Sequence, residues 1–317
     1  MLADMSLGLL AALVAIALVI DCLLGEARRW HPLVGFGKLA SQIEKTLNAG
    51  NARKMRGLLA WVAAVMPLVL LTAALLATVT AWSAWLGAIL HAVLLYACVG
   101  LRSLRDHALP IAAALDADDL PLARTLTARI VSRDTAQAEP ADLAKAGVES
   151  LLENGNDAVF GTLFWFIVAG APGAVLFRLA NTLDAMWGYR NERFHAFGWA
   201  AARIDDVLNW VPARLTALSY ALLGKTRSAW RCWQNQAPAW SSPNAGPVMA
   251  AGAGALEVAL GGAATYNGVV EIRPPLGAGH EAGAQDIRRA WQLVSRSALL
   301  WVMLLLVIAI SEGVVHA

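Results

Sequence analysis

Charge is scarce in this chain: Asp, Glu, Lys and Arg make up 15% of its 317 residues, against about 25% in a soluble globular protein. That shortage argues against an ordinary water-facing surface. Cysteine is scarce too, and Cys22, Cys98 and Cys232 stand far apart, with neither metal-ligand spacing nor a disulfide framework. A net charge of +2 is too small for the dense basic stripe that tracks nucleic-acid phosphates, so no nucleic-acid partner is expected. The phosphate-cradling loop G-x-x-x-x-G-K-S/T and the dinucleotide turn G-x-G-x-x-G are both missing. Any nucleotide must be held by another arrangement.

What the chain has in place of charge is apolar sequence, 58% of residues, with a mean hydropathy of +0.54. Gly57–Leu101 is 45 residues without an acid, lysine or arginine, enough for two helices of about 20 residues to cross a bilayer core. The pattern predicts spans at about Leu7–Leu24, Leu58–Val79 and Trp82–Val99, with Trp61, Trp82 and Trp85 near the helix ends as interfacial anchors. Leu7–Leu24 reads as a retained span, because Asp4 replaces the basic flank of a signal peptide. The last helix, about Ser297–Ile310, is short unless it extends back through Trp291–Arg296. Ala158–Phe177 is uncharged but divided by Gly161, Gly170, Pro172 and Gly173. Trp230–Gly246 reads as a loop, Pro247–Leu260 as a small-residue helix, and Gly261–Gly279 as a loop with an extended piece at Val269–Ile272.

The expected fold class is therefore an all-α polytopic membrane protein, a single domain over 1–317, with re-entrant or surface-packed helices and polar cytoplasmic segments. Those polar segments are about 102–157, 181–216 and 225–296. Basic residues cluster in 28–56 and 102–133, which places those loops on the cytoplasmic side. If the polar segments share one cytoplasmic site, 158–177 and 207–223 cannot be simple crossings. Four complete crossings then remain, at about 7–24, 58–79, 82–99 and 292–310, with both chain ends periplasmic. Six full spans is the competing arrangement.

Chemistry concentrates in three polar stretches. In V-E-S-L-L-E-N-G-N-D, Glu149 and Glu153 share a helix face and Asp157 follows a turn later. Their repulsion calls for a cation, and Mg²⁺ bound through carboxylates and substrate phosphates is the natural one; an acidic solvated helix end is the alternative. In N-T-L-D-A-M-W-G-Y-R-N-E-R-F, Asn181 and Asp184 precede Arg190, Asn191, Glu192 and Arg193. Arg203, Asp205, Asp206, Asn209 and Arg214 follow, the last two inside an apolar helix, where ionisable groups face a cavity or one another. Ser242, Pro243, Asn244 and Gly246 form a turn suited to an anion or to a plain loop. Arg129 and Arg133 lie one turn apart and suit phosphate or a solvated face. His31-Pro32 adds a weaker candidate.

These segments resemble, in order and content, the membrane-bound adenosylcobinamide-phosphate synthases of cobalamin biosynthesis. The resemblance runs through D-C-L-L-G-E and W-H-P-L-V-G-F-G (Asp21–Gly37), R-I-V-S-R-D-T (Arg129–Thr135) and V-E-S-L-L-E-N-G-N-D with L-F-W (Val148–Trp165). It continues through N-T-L-D-A-M-W-G-Y-R-N-E-R-F, the run Phe197–Thr216, S-P-N-A-G, and L-G-G with Tyr266. Two departures stand out. Ala158 follows Asp157 where the family has Gly, and Thr162 precedes Leu163 where it has a nearby Pro.

The resemblance implies ATP-dependent amide formation between the propionate of adenosylcobyric acid and aminopropanol phosphate or aminopropanol, through an acyl phosphate and with Mg²⁺. It implies Glu149, Glu153, Asp157, Asp184, Asp205 and Asp206 as catalytic carboxylates, with Glu149, Glu153, Asp205 and Asp206 holding metal. Arg129, Arg133, Arg190, Asn191, Arg203, Asn209, Arg214, Ser242 and Asn244 would then bind the anionic groups. Trp187, Tyr189, Phe194, Trp199 and Trp210 are candidates for a corrinoid groove or for packing. A bacterial inner-membrane location with a cytoplasm-facing site is expected, with lipid contact. Contact with other enzymes of the pathway and self-association stay open. The competing functions are a transporter or binding protein for a corrinoid or other anion, and a non-catalytic membrane sensor.

Overall fold

The computed structural model describes residues 5–26, 32–266 and 268–315; His31 lies outside them. The chain forms two compact units, one of Met1–Gly100, Gly161–Asn209 and Val302–Ala317, the other of Leu101–Phe160 and Trp210–Trp301. Helices are numbered along the chain.

The first unit holds α1 (Leu7–Leu24), α2 (Pro32–Leu47), α3 (Arg53–Trp82), α4 (Ala84–Cys98), α8 (Gly161–Trp187) and the start of α9 (Trp199–Leu223). Ser6 caps α1 by accepting the Leu9 amide, and Gly25 ends it at φ 67°, a conformation glycine adopts without steric cost. A single residue, Ser83, joins α3 to α4 and caps α4. The two helices approach closely there, since a Cβ at Gly87 would strike Thr80, as small residues allow between membrane helices. Phe36, Trp61, Val65, Leu183, Trp187 and Phe197 make this unit's apolar cluster. Trp187, 1% exposed and edge-on to Phe197 at 5.1 Å, is therefore core in this structure.

The second unit holds α5 (Leu101–Asp116), α6 (Leu120–Thr127), α7 (Pro140–Gly155), the rest of α9, α10 (Thr226–Gln236), α11 (Ala245–Leu256) and the start of α12 (Ala284–Val315). Strands β1 (Val258–Tyr266) and β2 (Val269–Leu276) pair antiparallel, and β3 (His280–Glu281) runs parallel to β1. The all-α expectation holds for the bulk of the described chain, with this small sheet added. The predicted loop at 230–246 is helix α10 as far as Gln236, then a 3-10 turn at Ala237–Ala239, and α11 begins at Ala245. The predicted 261–279 loop is hairpin, because the β-branched residues of 269–272 pair with β1 across the glycines. The last helix is far longer than Ser297–Ile310.

Among the described residues, five helices are long and apolar enough to cross a membrane: Leu7–Leu24, Arg53–Trp82, Ala84–Asp116, Pro140–Trp187 and Ala284–Glu312. The fourth is not a straight rod. Its helical geometry breaks at Gly170, φ 64° and ψ −158°. A Cβ at Gly161 would collide with the Phe177 ring, and one at Gly173 with the Trp165 carbonyl. Residues sixteen positions apart lie about 24 Å apart in a continuous helix, so the two limbs of α8 fold back on each other. His91 Nδ1 of α4 accepts the Ala171 amide freed by the break, at 3.2 Å, which satisfies a buried backbone group in an apolar setting. The break falls among Gly161, Gly170, Pro172 and Gly173, where the sequence divides 158–177, although the helix containing it is one of the five long enough to cross. Helix α9, which carries 207–223, is not among the five.

Candidate functional site

In the second unit, a cavity of ≈ 510 Å³ opens between α7, the 130–133 segment, the 239–241 turn and the β1–β2 hairpin. Glu149, on the buried face of α7 at 3% exposure, forms its electrostatic centre. Arg273 grips both carboxylate oxygens, Nη1 to Oε2 at 2.9 Å and Nη2 to Oε1 at 3.1 Å. Arg133 pairs with Oε2, and the Gly261 amide donates to Oε1 at 2.8 Å. That amide is aimed by a bulge in β1, where Gly261 and Gly262 take φ 74° and 71°. Burial opposes the charge on Arg273, but its bonds to Glu149 outweigh that and hold its pKa above the ordinary value.

Glu153 lines the same cavity one turn further along α7. Among the described residues it has neither a hydrogen-bond nor an ion-pair partner. Glu271, Tyr266, Ser132, Ser150, Asn154 and Trp240 add to the polar and aromatic wall, with Arg273 5.7 Å from the Trp240 ring centre. Sequence reasoning picked out Glu149, Glu153 and Arg133 and missed Arg273. A lone arginine in a Gly/Pro-rich stretch carries no local signal of a partner 124 positions away.

Arg129 stands exposed in a smaller cleft that shares Ile130, Ser150 and Asn154 with this cavity. Asp157 sits in a π-helical turn, Asn156–Phe160, and accepts from Asn156 Nδ2 at 2.9 Å. Arg214, Ser242 and Asn244 come together: Arg214 donates to Asn244 Oδ1 at 2.7 Å and to the Pro243 carbonyl at 3.0 Å. Ser242 Oγ accepts the Asn244 and Ala245 amides at the start of α11. This set ties the S-P-N-A-G turn to α9.

In the first unit, Asp205 accepts from Asn181 at 3.4 Å and Asn209 at 3.1 Å. Arg203 pairs with Asp206 at 3.4 Å on the exposed side. Burial raises the Asp206 pKa, against the opposing pull of Arg203 and Arg190. Asp184 is half-buried near the end of α8, its carbonyl accepting the Gly188 amide at 2.7 Å. Asn191 caps the following turn through the Phe194 amide at 3.0 Å. Glu44 of α2 clamps the same turn by gripping Arg193 at 2.6 and 3.1 Å. Tyr189 and Trp199 are exposed, as is Trp210 of the second unit; Phe194 lies against Arg193, and Lys54 sits over Trp199 at 5.5 Å.

Among the described residues no group of three or more His, Cys, Asp or Glu side chains is arranged to hold a metal ion. Glu149, expected from the sequence as a Mg²⁺ ligand, has its oxygens committed to two arginines and an amide. A carboxylate so engaged anchors cations of the protein itself.

Apolar membrane-length helices carrying a charged, partly buried cavity define a polytopic membrane protein with a polar site built from its inter-helix segments. A family model described as CobD/CbiB protein matches residues 14–294, and the chain belongs to that family of cobalamin biosynthesis. It is 59% identical to the cobalamin biosynthesis protein CobD of Stutzerimonas stutzeri over 92% of this chain and 95% of the relative. Identity to CobD of Chromobacterium violaceum is 54%, covering 97% of this chain and 99% of the relative. CobD of Rhodobacter capsulatus is 39% identical over 90% and 93%. No solved structure matches the chain.

Proposed function

We propose that this protein joins the free propionate carboxylate of adenosylcobyric acid to aminopropanol phosphate, or to aminopropanol, at the expense of ATP. The product is adenosylcobinamide phosphate or its unphosphorylated counterpart. The observation that carries this reading is the pairing of functions in one cavity: two arginines fixed on Glu149, and Glu153 one turn away without a partner among the described residues. A carboxylate is a poor electrophile. Phosphorylated, it becomes an acyl phosphate that an amine can displace.

Each step makes a demand on this chain's own residues. Phosphoryl charge needs fixed cations, and Arg133 and Arg273 are pre-positioned by Glu149, so little reorganisation is needed when an anion arrives. The attacking amine must be neutral and must lose a proton as the C–N bond forms and the C–O bond to phosphate breaks. Glu153 is the carboxylate placed to take that proton, since no arginine holds its oxygens. Mg²⁺ entering with the nucleotide needs only one or two protein carboxylates beside substrate phosphates. Glu271, on the same wall, suits that task; the ion would spread the phosphoryl charge.

The test is reconstitution of the full chain in detergent with adenosylcobyric acid, ATP, Mg²⁺ and aminopropanol phosphate, followed by mass analysis of the corrinoid. The expected product gains the amide. Glu153→Gln should lower turnover by about 100-fold or more, the range for loss of a general base, with unfolding temperature unchanged. A folded, substrate-binding parent that never joins the two substrates overturns the proposal.

A further inference from the structure

Beside the main cavity lies a cleft of ≈ 250 Å³ whose polar lining is Ser103, His107, Arg129, Ser150 and Asn154. Its lining contains no carboxylate, whereas the main cavity has Glu149, Glu153 and Glu271. We propose that this cleft binds the phosphate monoester of the amine substrate and directs its amino group into the main cavity. The inference rests on the amide-forming reading and deepens it by assigning one substrate's place.

The donor set is that of an anion site. Arg129 is exposed and its guanidinium has no partner among the described residues, so its five N–H groups are available to a phosphate. His107 stands on α5 one turn after Ser103, and its Nδ1 lies 2.8 Å from the Ser103 carbonyl. A carbonyl only accepts, so Nδ1 carries a proton. Nε2, without a partner among the described residues, is the ring atom left for the phosphate.

Asn154 gives the cleft its direction. Its Nδ2 donates to the Ser150 carbonyl at 2.9 Å and to Ser150 Oγ at 3.1 Å, which fixes the amide and leaves Oδ1 as an acceptor. Asn154 and Ser150 line both cavities, and Glu153, the residue just before Asn154 on α7, lines the main cavity. An amino alcohol phosphate seated by its phosphate on Arg129 and His107 would offer its nitrogen to Asn154 Oδ1 at the shared wall. There it faces the space where Arg133 and Arg273 would hold the activated carboxyl group. In the joining step the nitrogen lone pair forms the new C–N bond, inorganic phosphate leaves, and the proton passes to Glu153.

The experiment compares the parent with Arg129→Gln, Arg129→Lys and His107→Gln, all full-length in detergent. KM is measured separately for aminopropanol phosphate, aminopropanol and ATP. The proposal expects Arg129→Gln to raise KM for the phosphorylated amine by about tenfold or more, as loss of a charged hydrogen bond does. His107→Gln should raise it less, and KM for aminopropanol and for ATP should stay within about twofold. Partial recovery in Arg129→Lys separates a charge role from misfolding. A rise in KM for ATP alone, or an equal rise for both amines, overturns the proposal. Should the parent form no amide, the amide-forming reading fails by itself. The cleft is then tested by ³¹P line broadening of aminopropanol phosphate: broadening with the parent that Arg129→Gln abolishes supports the site, and none with the parent refutes it.

Discussion

Glu149 and Glu153 are one turn apart, and sequence alone makes them equivalent. The structure separates them through partners. Glu149 is desolvated and neutralised by Arg133, Arg273 and the Gly261 amide, so its removal strands two arginines that are themselves 11% and 14% exposed. Breaking one side of such a buried network costs about 3–5 kcal/mol. Glu149→Gln is therefore expected to lower the unfolding midpoint in detergent markedly, where Glu153→Gln does not. Equal stability of the two variants would show that Glu149 is not the anchor described. The acidic helix face was legible from i, i+4 spacing; which acid is anchored was not, because Arg273 arrives from a hairpin far along the chain.

At the scale of elements, the R-N-E-R-F turn illustrates how a motif rich in charge can be structural in part. Arg193 is held by Glu44 of α2, while Arg53 at the start of α3 donates to the Arg193 carbonyl at 2.6 Å. The hydrogen bond from Arg193 holds the Glu44 pKa below its ordinary value of 4.5, with burial opposing and Asn48 assisting. A carboxylate with a depressed folded pKa contributes stability that is present above its unfolded pKa and is lost as pH falls through the folded one. Acid unfolding of the parent should therefore carry a component below about pH 4.5 that Glu44→Gln lacks, read from unfolding midpoints between neutral and acid pH. Identical acid profiles would remove the clamp from the account. Helix α8 teaches a related lesson. Its glycines and proline announced an interruption, but the fold-back at Gly170 depends on His91 from another helix accepting the Ala171 amide.

For the whole molecule, the Arg273–Glu149 and Arg133–Glu149 pairs join residues 133, 149 and 273 within one unit, and the stretches bearing them are therefore expected on one side of the membrane. Between them the chain passes through α8, whose limbs fold back at Gly170, and α9. The expected outcome follows for single cysteines placed in a background without Cys22, Cys98 and Cys232. Gln137→Cys and Asn235→Cys, both exposed positions, are protected alike from a membrane-impermeant maleimide on intact cells, while Trp82→Cys, at the turn of the α3–α4 hairpin, is labelled. Opposite behaviour at 137 and 235 would defeat this topology. The sequence by itself determined the membrane class, the limits of α1, the α3–α4 hairpin and the polar stretches, because hydrophobic length and helical spacing are local properties that need no partner to be read. Tertiary structure alone decided that 258–276 pairs as a hairpin, that Trp187 is core, and that Arg273 completes the cavity around Glu149. Those outcomes depend on contacts between residues distant in the chain, and the free energy of burying a charge is set by whichever partner the fold delivers to it.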